Sequence, residues 1–283
     1  MKRRPSGTTH WAFARRLSAA CFLLLLGLGS WPGFPWFRGS MPATRWLDVV
    51  PFVDPLAAIE GALAARSLTT DMLIGAGMLV AAAAICGPVF CGWVCPLGLL
   101  FDLSAALRRR WPRGRMQTLP GVPHRGLGLG VLAFLAAFAW FGRLPLFQVV
   151  SPIGLVVQAV VFQAAGGLVL VALVLLIDGF WPRLWCRALC PSGALYFLIS
   201  RRGRLRVRVN AASPCGSHCR QCTLRCPMGI RVLEDHVQRR QETVGDPQCI
   251  RCGACVESCP GGRLQLGWQP ARPAVRNACP ADP

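Results

Sequence analysis

Two blocks of cysteines near the C-terminus set the tightest limit on how this chain can fold. They read Cys215-x3-Cys219-x2-Cys222-x3-Cys226-Pro227 and Cys249-x2-Cys252-x2-Cys255-x3-Cys259-Pro260. The second has the spacing of bacterial ferredoxins, and the first carries one extra residue after Cys215. Three closely spaced cysteines make a short loop of soft thiolates that can wrap an iron–sulfur cube, and the fourth, followed by proline, reaches the other cluster. Two [4Fe–4S] clusters with crossed ligands follow. Cys215, Cys219, Cys222 and Cys259 are expected on one, and Cys249, Cys252, Cys255 and Cys226 on the other. Gly216 makes the extra-residue bulge cheap. A disulfide framework suits small secreted chains, and zinc knuckles sit well apart, often with histidine. Only His218 and His236 lie in this region.

The rest of the chain is apolar. Hydrophobic residues make up 53% of it and charged residues 15%, and the mean hydropathy is +0.44, which describes a membrane protein. Four segments are each long enough to cross a hydrocarbon core of about 30 Å as a helix: Leu17 to about Gly33, Met72 to Phe90, Leu127 to Phe147 and Val160 to Trp181. The first runs into an aromatic cluster from Trp31 to Phe37, as at a membrane interface. The expected fold is therefore membrane α-helical, with four transmembrane helices arranged as two repeated hairpins (residues 1–200). A C-terminal α+β ferredoxin-like domain of the bacterial two-cluster type follows (201–283).

A net charge of +19 invites nucleic acid as a partner, but the charge is distributed by topology. Residues 38–71 hold three arginines against four acids. Residues 102–125 hold six arginines against Asp102 alone. The N-terminus and the stretch Arg201–Arg208 are equally basic. This is the positive-inside pattern of a multi-pass protein of the bacterial inner (cytoplasmic) membrane with both termini cytoplasmic, so no nucleic acid is expected. Arg15-Arg16 is not read as an export signal, because three further spans follow. The clusters then lie on the reducing, cytoplasmic side, where thiolates stay free for iron.

The membrane region repeats. Cys91-Gly-Trp-Val-Cys95-Pro96-Leu-Gly98-Leu-Leu100-Phe-Asp-Leu103 aligns with Cys186-Arg-Ala-Leu-Cys190-Pro191-Ser-Gly193-Ala-Leu195-Tyr-Phe-Leu198 at an offset of 95. Asp54-Pro55-Leu56 and Ser151-Pro152-Ile153 fall at similar places upstream. Two hairpins of one orientation, related about the membrane normal, account for this. An i, i+4 spacing puts both thiols of each pair on one helix face. Their chemistry stays open between cluster ligation, thiol redox and close packing by a small residue. Cys21, Cys86 and Cys279 belong to neither pattern. Gly126-Leu-Gly128-Leu-Gly130 opens a span and reads as a helix-packing element, not a nucleotide loop.

The four spans, the paired C-x3-C-P motifs and the two ferredoxin blocks together resemble the NapH/MauN ferredoxin-type membrane proteins. The resemblance is carried by Val50-Pro-Phe-Val-Asp-Pro-Leu56, Phe90-Cys-Gly-Trp-Val-Cys-Pro-Leu97 and Trp185-Cys-Arg-Ala-Leu-Cys-Pro-Ser-Gly-Ala-Leu-Tyr196. It implies an inner-membrane protein, a quinol dehydrogenase subunit or relay. Its partners would be membrane lipid and quinone, with another ferredoxin-type subunit or a periplasmic oxidoreductase chain. That system serves nitrate reduction in one branch and methylamine utilization in the other. Haem is not expected: His10, His124, His218 and His236 all lie outside the spans, and no C-x-x-C-H occurs. Quinone is the remaining membrane donor. The other readings are a maturation factor that reduces a metal or thiol in a partner enzyme, and a membrane anchor for soluble cluster proteins.

Overall fold

Glycine, proline and left-handed arginines decide where the apolar helices stop. The computed structural model describes residues 11–29, 37–40, 43–46, 50–108, 126–161, 165–210 and 219–268. Cys215 and Cys279 lie outside the described residues, as do most of the aromatic cluster at 31–37 and all of residues 109–125. Helix α1 (Trp11–Gly29) leads into an antiparallel sheet of β1 (Phe37–Ser40), β2 (Ala43–Trp46) and β3 (Val50–Val53). Helix α2 (Pro55–Ala65) begins at Asp54, whose Oδ2 accepts from the amides of Leu56 at 3.2 Å and Ala57 at 3.3 Å, with proline in the first turn. It stops at Arg66, in the left-handed conformation with φ 51°. Helix α3 (Thr70–Cys86) runs to Gly87, φ 87°, and Pro88, followed by α4 (Val89–Trp93) and α5 (Pro96–Arg108).

A second set has the same order. After α6 (Leu127–Gly142) and the short α7 (Leu146–Val150) come α8 (Pro152–Val161), α9 (Leu168–Phe180), a wide turn at Trp185–Leu189 and α10 (Pro191–Ile199). Helices α8, α9 and α10 correspond to α2, α3 and α5. The correspondence extends to single hydrogen bonds. Cys95 N–H donates to the Phe90 carbonyl at 3.0 Å, and Cys190 N–H donates to the Trp185 carbonyl at 2.8 Å. Both are i→i−5 bonds, and the offset between them is again 95. Gly98 and Gly193 each sit under the carbonyl of the first cysteine of their own motif, where an added Cβ would stand 3.1 Å from the Cys91 oxygen and 3.6 Å from the Cys186 oxygen.

Two expectations need revising in detail. The i, i+4 cysteines do not share one helix. Cys91 lies on α4 and Cys95 between α4 and α5, while Cys186 lies in the wide turn and Cys190 caps α10. The prolines at 96 and 191 cannot continue the preceding turn, so each begins a new helix. The expected spans are likewise interrupted. Among the described residues α1 is the one helix long and apolar enough to cross a membrane. The apolar helices α3, α6 and α9 have 17, 16 and 13 residues. Gly87-Pro88 breaks the second expected span, Arg143 (φ 53°) ends the third early, and the fourth divides between α8 and α9. Helix α2 falls outside the four spans, and α8 lies mostly ahead of the fourth. Gly128 is where α6 meets α10: a Cβ there would lie 3.2 Å from the Ala194 Cβ, while Gly126 and Gly130 face open space.

The C-terminal unit is closed by β4 (Leu205–Val209) against β5 (Leu264–Trp268), antiparallel with Val207 opposite Leu266. Between them lie α11 (Gln221–Leu224) and α12 (Ala254–Glu257), each leading into a Cys-Pro turn. Gly229 N–H donates to the Cys226 carbonyl at 3.2 Å and Gly262 N–H to the Cys259 carbonyl at 3.3 Å. Both glycines are left-handed, with φ 68° and 64°. The two ferredoxin blocks are thus structural repeats. Val207, Met228, Val232, Ile250 and Leu264 form their shared core.

Candidate iron–sulfur site

Cys226, Cys249, Cys252 and Cys255 line one small cavity, walled by apolar groups such as Val207, Met228, Ile230 and Ile250. Cys226 comes from the first block and the other three from the second. Burial pushes the Cys226 thiol up to about 12 and the Cys249 thiol up to about 11, and in each case the Cys252 thiol adds to the rise. Thiolates so placed need a compensating cation. Among the described residues no three His, Cys, Asp or Glu side chains stand close enough for a single metal ion. A cubane, with iron at four corners, spreads its thiolates more widely and fits this apolar setting. For the other set, Cys222 is buried on α11, while Cys219 and Cys259 are partly buried. Cys222 and Cys255 interact electrostatically across the α11–α12 contact.

The cysteines of the two C-x3-C-P motifs also come together. Cys91 interacts electrostatically with Cys95, Cys186 and Cys190, and Cys186 with Cys95 and Cys190. The group lies against the ferredoxin unit. Cys91 packs on the same apolar cluster as Cys252 and Cys255. Next to it, a Cβ on Gly92 would stand 2.6 Å from the Ile250 carbonyl oxygen. Trp93 Nε1 donates to the Arg251 carbonyl at 3.2 Å, and the Trp11 ring meets Trp93 edge-on at 5.8 Å. The Arg251 side chain lies over Gly87, where a side chain of any size would collide with its guanidinium. Ala12 N–H donates to Glu257 Oε2 at 3.2 Å, and Gln248 Nε2 donates to the Arg187 carbonyl at 3.4 Å.

Buried charges hold this junction, and the sequence reading passed over them. Asp102 lies between Arg15 and Arg183, each with an N–O distance of 2.5 Å. Asp178 accepts from the Arg183 amide at 2.7 Å and from Ser104 Oγ at 2.9 Å. These contacts tie α1, α5 and α9 together. The Arg183 charge reaches both Cys186 and Cys252. Tyr196, 1% exposed, donates its hydroxyl to Asp54 Oδ1 at 3.0 Å. Phe90 stacks on the Tyr196 ring at 5.4 Å. The available signal was an ionisable residue inside an apolar segment, which is costly unless it works or is paired.

Known proteins carry the same parts. A family profile described as a 4Fe-4S binding domain matches residues 68–114 and 163–210, one C-x3-C-P motif in each. A second, described as a 4Fe-4S dicluster domain, matches residues 206–260. The chain is 35% identical over 259 residues to the ferredoxin-type protein NapH of Haemophilus influenzae, covering 88% of this chain and 87% of the relative. It is 30% identical over 257 residues to NapH of Escherichia coli, covering 88% and 86%. It is also 30% identical over 264 residues to the methylamine utilization ferredoxin-type protein MauN of Methylobacillus flagellatus, covering 91% and 89%. No solved structure matches the chain. With iron–sulfur profiles covering both the repeated hairpins and the C-terminal unit, and with identity running through nearly its whole length, the chain belongs to the NapH/MauN family of ferredoxin-type iron–sulfur proteins.

Proposed function

We propose that this protein is a multi-pass membrane relay. It draws electrons from a quinol, passes them through the Cys91–Cys95–Cys186–Cys190 group to two [4Fe–4S] clusters, and delivers them to a partner redox subunit. The observation that carries this reading is the seating of α4, with Cys91 on it, directly on the Cys249–Cys255 loop through Gly92 and Trp93. Electron transfer needs short paths, and here Cys91 packs in the same apolar cluster as Cys252 and Cys255. Bound clusters would supply one-electron chemistry. The chain's own residues set its surroundings: Arg183 places a buried positive charge between Cys186 and Cys252, which favours the reduced, more negative state on either side. Exposed Leu73, Ile74, Phe134, Phe141, Leu173 and Leu176 give α3, α6 and α9 apolar outer faces suited to lipid. The MauN relative is named for methylamine utilization, which supports a redox pathway of that kind for this chain.

Quinol-driven bleaching of the clusters by the full-length protein in proteoliposomes tests this reading. Cys95→Ser and Cys190→Ser should each abolish it while both ferredoxin clusters remain assembled. A double mutant with near-wild-type rates would reduce these cysteines to packing elements. Alkaline phosphatase fusions test the orientation. They should be active near Arg45 and Ser151 and inactive after Arg113 or Val275.

A further inference from the structure

We infer that Asp54 and Tyr196 form a proton-accepting pair for a hydroquinone oxidised beside the four-cysteine group, a role that rests on the proposed quinol-linked reading. The internal repeat supplies the control. The counterpart of Tyr196 at an offset of 95 is Phe101, and the counterpart of Asp54 at the start of the second set is Ser151. Phe101 is fully buried without a hydroxyl, and Ser151 caps α8 through Gly154 N–H at 3.5 Å. A phenyl ring and a serine therefore satisfy the same fold once already. Capping needs no carboxylate, and packing needs no phenol. The Tyr196–Asp54 bond nevertheless places an acid and the chain's single tyrosine in an apolar interior, on one side of the pseudo-symmetric pair only.

The neighbourhood suits proton transfer coupled to redox chemistry. Asp54 interacts electrostatically with Cys91 and Cys95 from the first motif, Cys190 from the second, and Tyr196 on α10. On its own helix it interacts electrostatically with Glu60, and among the described residues no cation pairs with it. Glu60 is 0% exposed; its carboxylate accepts from Phe147 N–H and from Gln148 Nε2, both at 3.3 Å. Gln148 is half-buried, next to exposed Val149 and Val150. The counterpart of Glu60 at the same offset as Asp54 and Ser151 is Val157, so the second acid also breaks the repeat.

Each hydroquinone O–H that breaks sends its proton to the Asp54 carboxylate and its electron to one oxidised cluster. Two such steps yield quinone, two singly reduced clusters and two protons. The first proton must leave Asp54 before the second arrives, and Glu60, the acid within α2 that senses the Asp54 charge, is the group that takes it.

The test makes the two copies alike. Full-length Asp54→Ser, Tyr196→Phe and the double variant are loaded with iron, reconstituted in proteoliposomes and reduced with decylubiquinol. Iron content and dithionite reduction should match wild type. The quinol-driven rate should fall about 10²-fold or more, the usual contribution of a positioned base, and should lose its rise with pH, which burial of Asp54 moves above the ordinary carboxylate range. Asp54→Asn keeps the cap and serves if the serine variant loads no iron. Redox-difference infrared spectra should show a carboxylic-acid band that Asp54→Asn removes. Quinol rates and pH profiles equal to wild type in these variants overturn the inference alone. Failure of wild type itself to accept electrons from quinol overturns the donor reading and this inference with it.

Discussion

Gly92 lies directly beneath the Ile250 carbonyl, so close that a Cβ at position 92 would stand 2.6 Å from that oxygen. This is the point where the first C-x3-C-P motif meets the second ferredoxin block. A side chain there must push the two units apart. Gly92→Ala should cost about 1–3 kcal/mol, the usual range for overpacking, read as a lowered unfolding midpoint in detergent. It should also slow quinol-driven reduction, with direct dithionite reduction unchanged. An unaltered midpoint and rate would show that the loop can yield without consequence.

Cys252 belongs to the thiol set around the apolar cavity. Cys252→Ser should lower the iron content from about eight to about four atoms per chain and remove one cubane signal from the EPR spectrum of the reduced protein. Both signals surviving would refute the ligand assignment.

Asp102 compensates two buried arginines, Arg15 on α1 and Arg183 ahead of the second motif. Asp102→Asn leaves both cations without their carboxylate and should destabilise the protein by about 3–5 kcal/mol. Chemical unfolding of the purified protein measures this. A loss below about 1 kcal/mol would mean that water reaches the site and solvates the arginines.

Glu234 holds the loop of the first block. Partial burial acts to raise its carboxyl, but hydrogen bonds from its own backbone, Thr223 and Arg220 outweigh that and hold it below the ordinary 4.5. A carboxylate with a depressed folded-state pKa contributes stability above 4.5, and the contribution is lost as pH falls through the folded value. Glu234→Gln should therefore cost at most about 1 kcal/mol at neutral pH and nothing at the acid end. The test is to compare wild-type and variant unfolding midpoints from pH 7 to pH 3. A gap that stays constant over this range would assign Glu234 a packing role.

The motifs were legible because their chemistry is local. A ferredoxin loop is a spacing of thiols along a few residues, and the C-x3-C-P repeat is visible at a fixed offset. Where the apolar segments bend was less legible. Hydropathy counts side chains over a window, whereas α3, α6 and α9 end at particular backbone events at Gly87, Arg143 and Trp181. Helix α2 was hidden for the same reason, since Pro55 and the acids at 54 and 60 read as a loop between spans. The shared face expected for each cysteine pair failed because a proline directly after the second cysteine starts a new helix.

Sequence by itself determined the iron–sulfur class, the duplication of the C-x3-C-P motif and the family of this protein, since each is written in residue identity and short-range spacing. Tertiary structure alone decided which groups meet. It places Cys226 with the cysteines of the second block, Cys91 against the cluster loop, Asp102 between two arginines and Asp54 under the Tyr196 hydroxyl, a separation of 142 residues. Such pairings depend on how helices stack to bury apolar faces and match the few charges left inside. That condition is set by the packing of all the helices together, and no local stretch of sequence contains it.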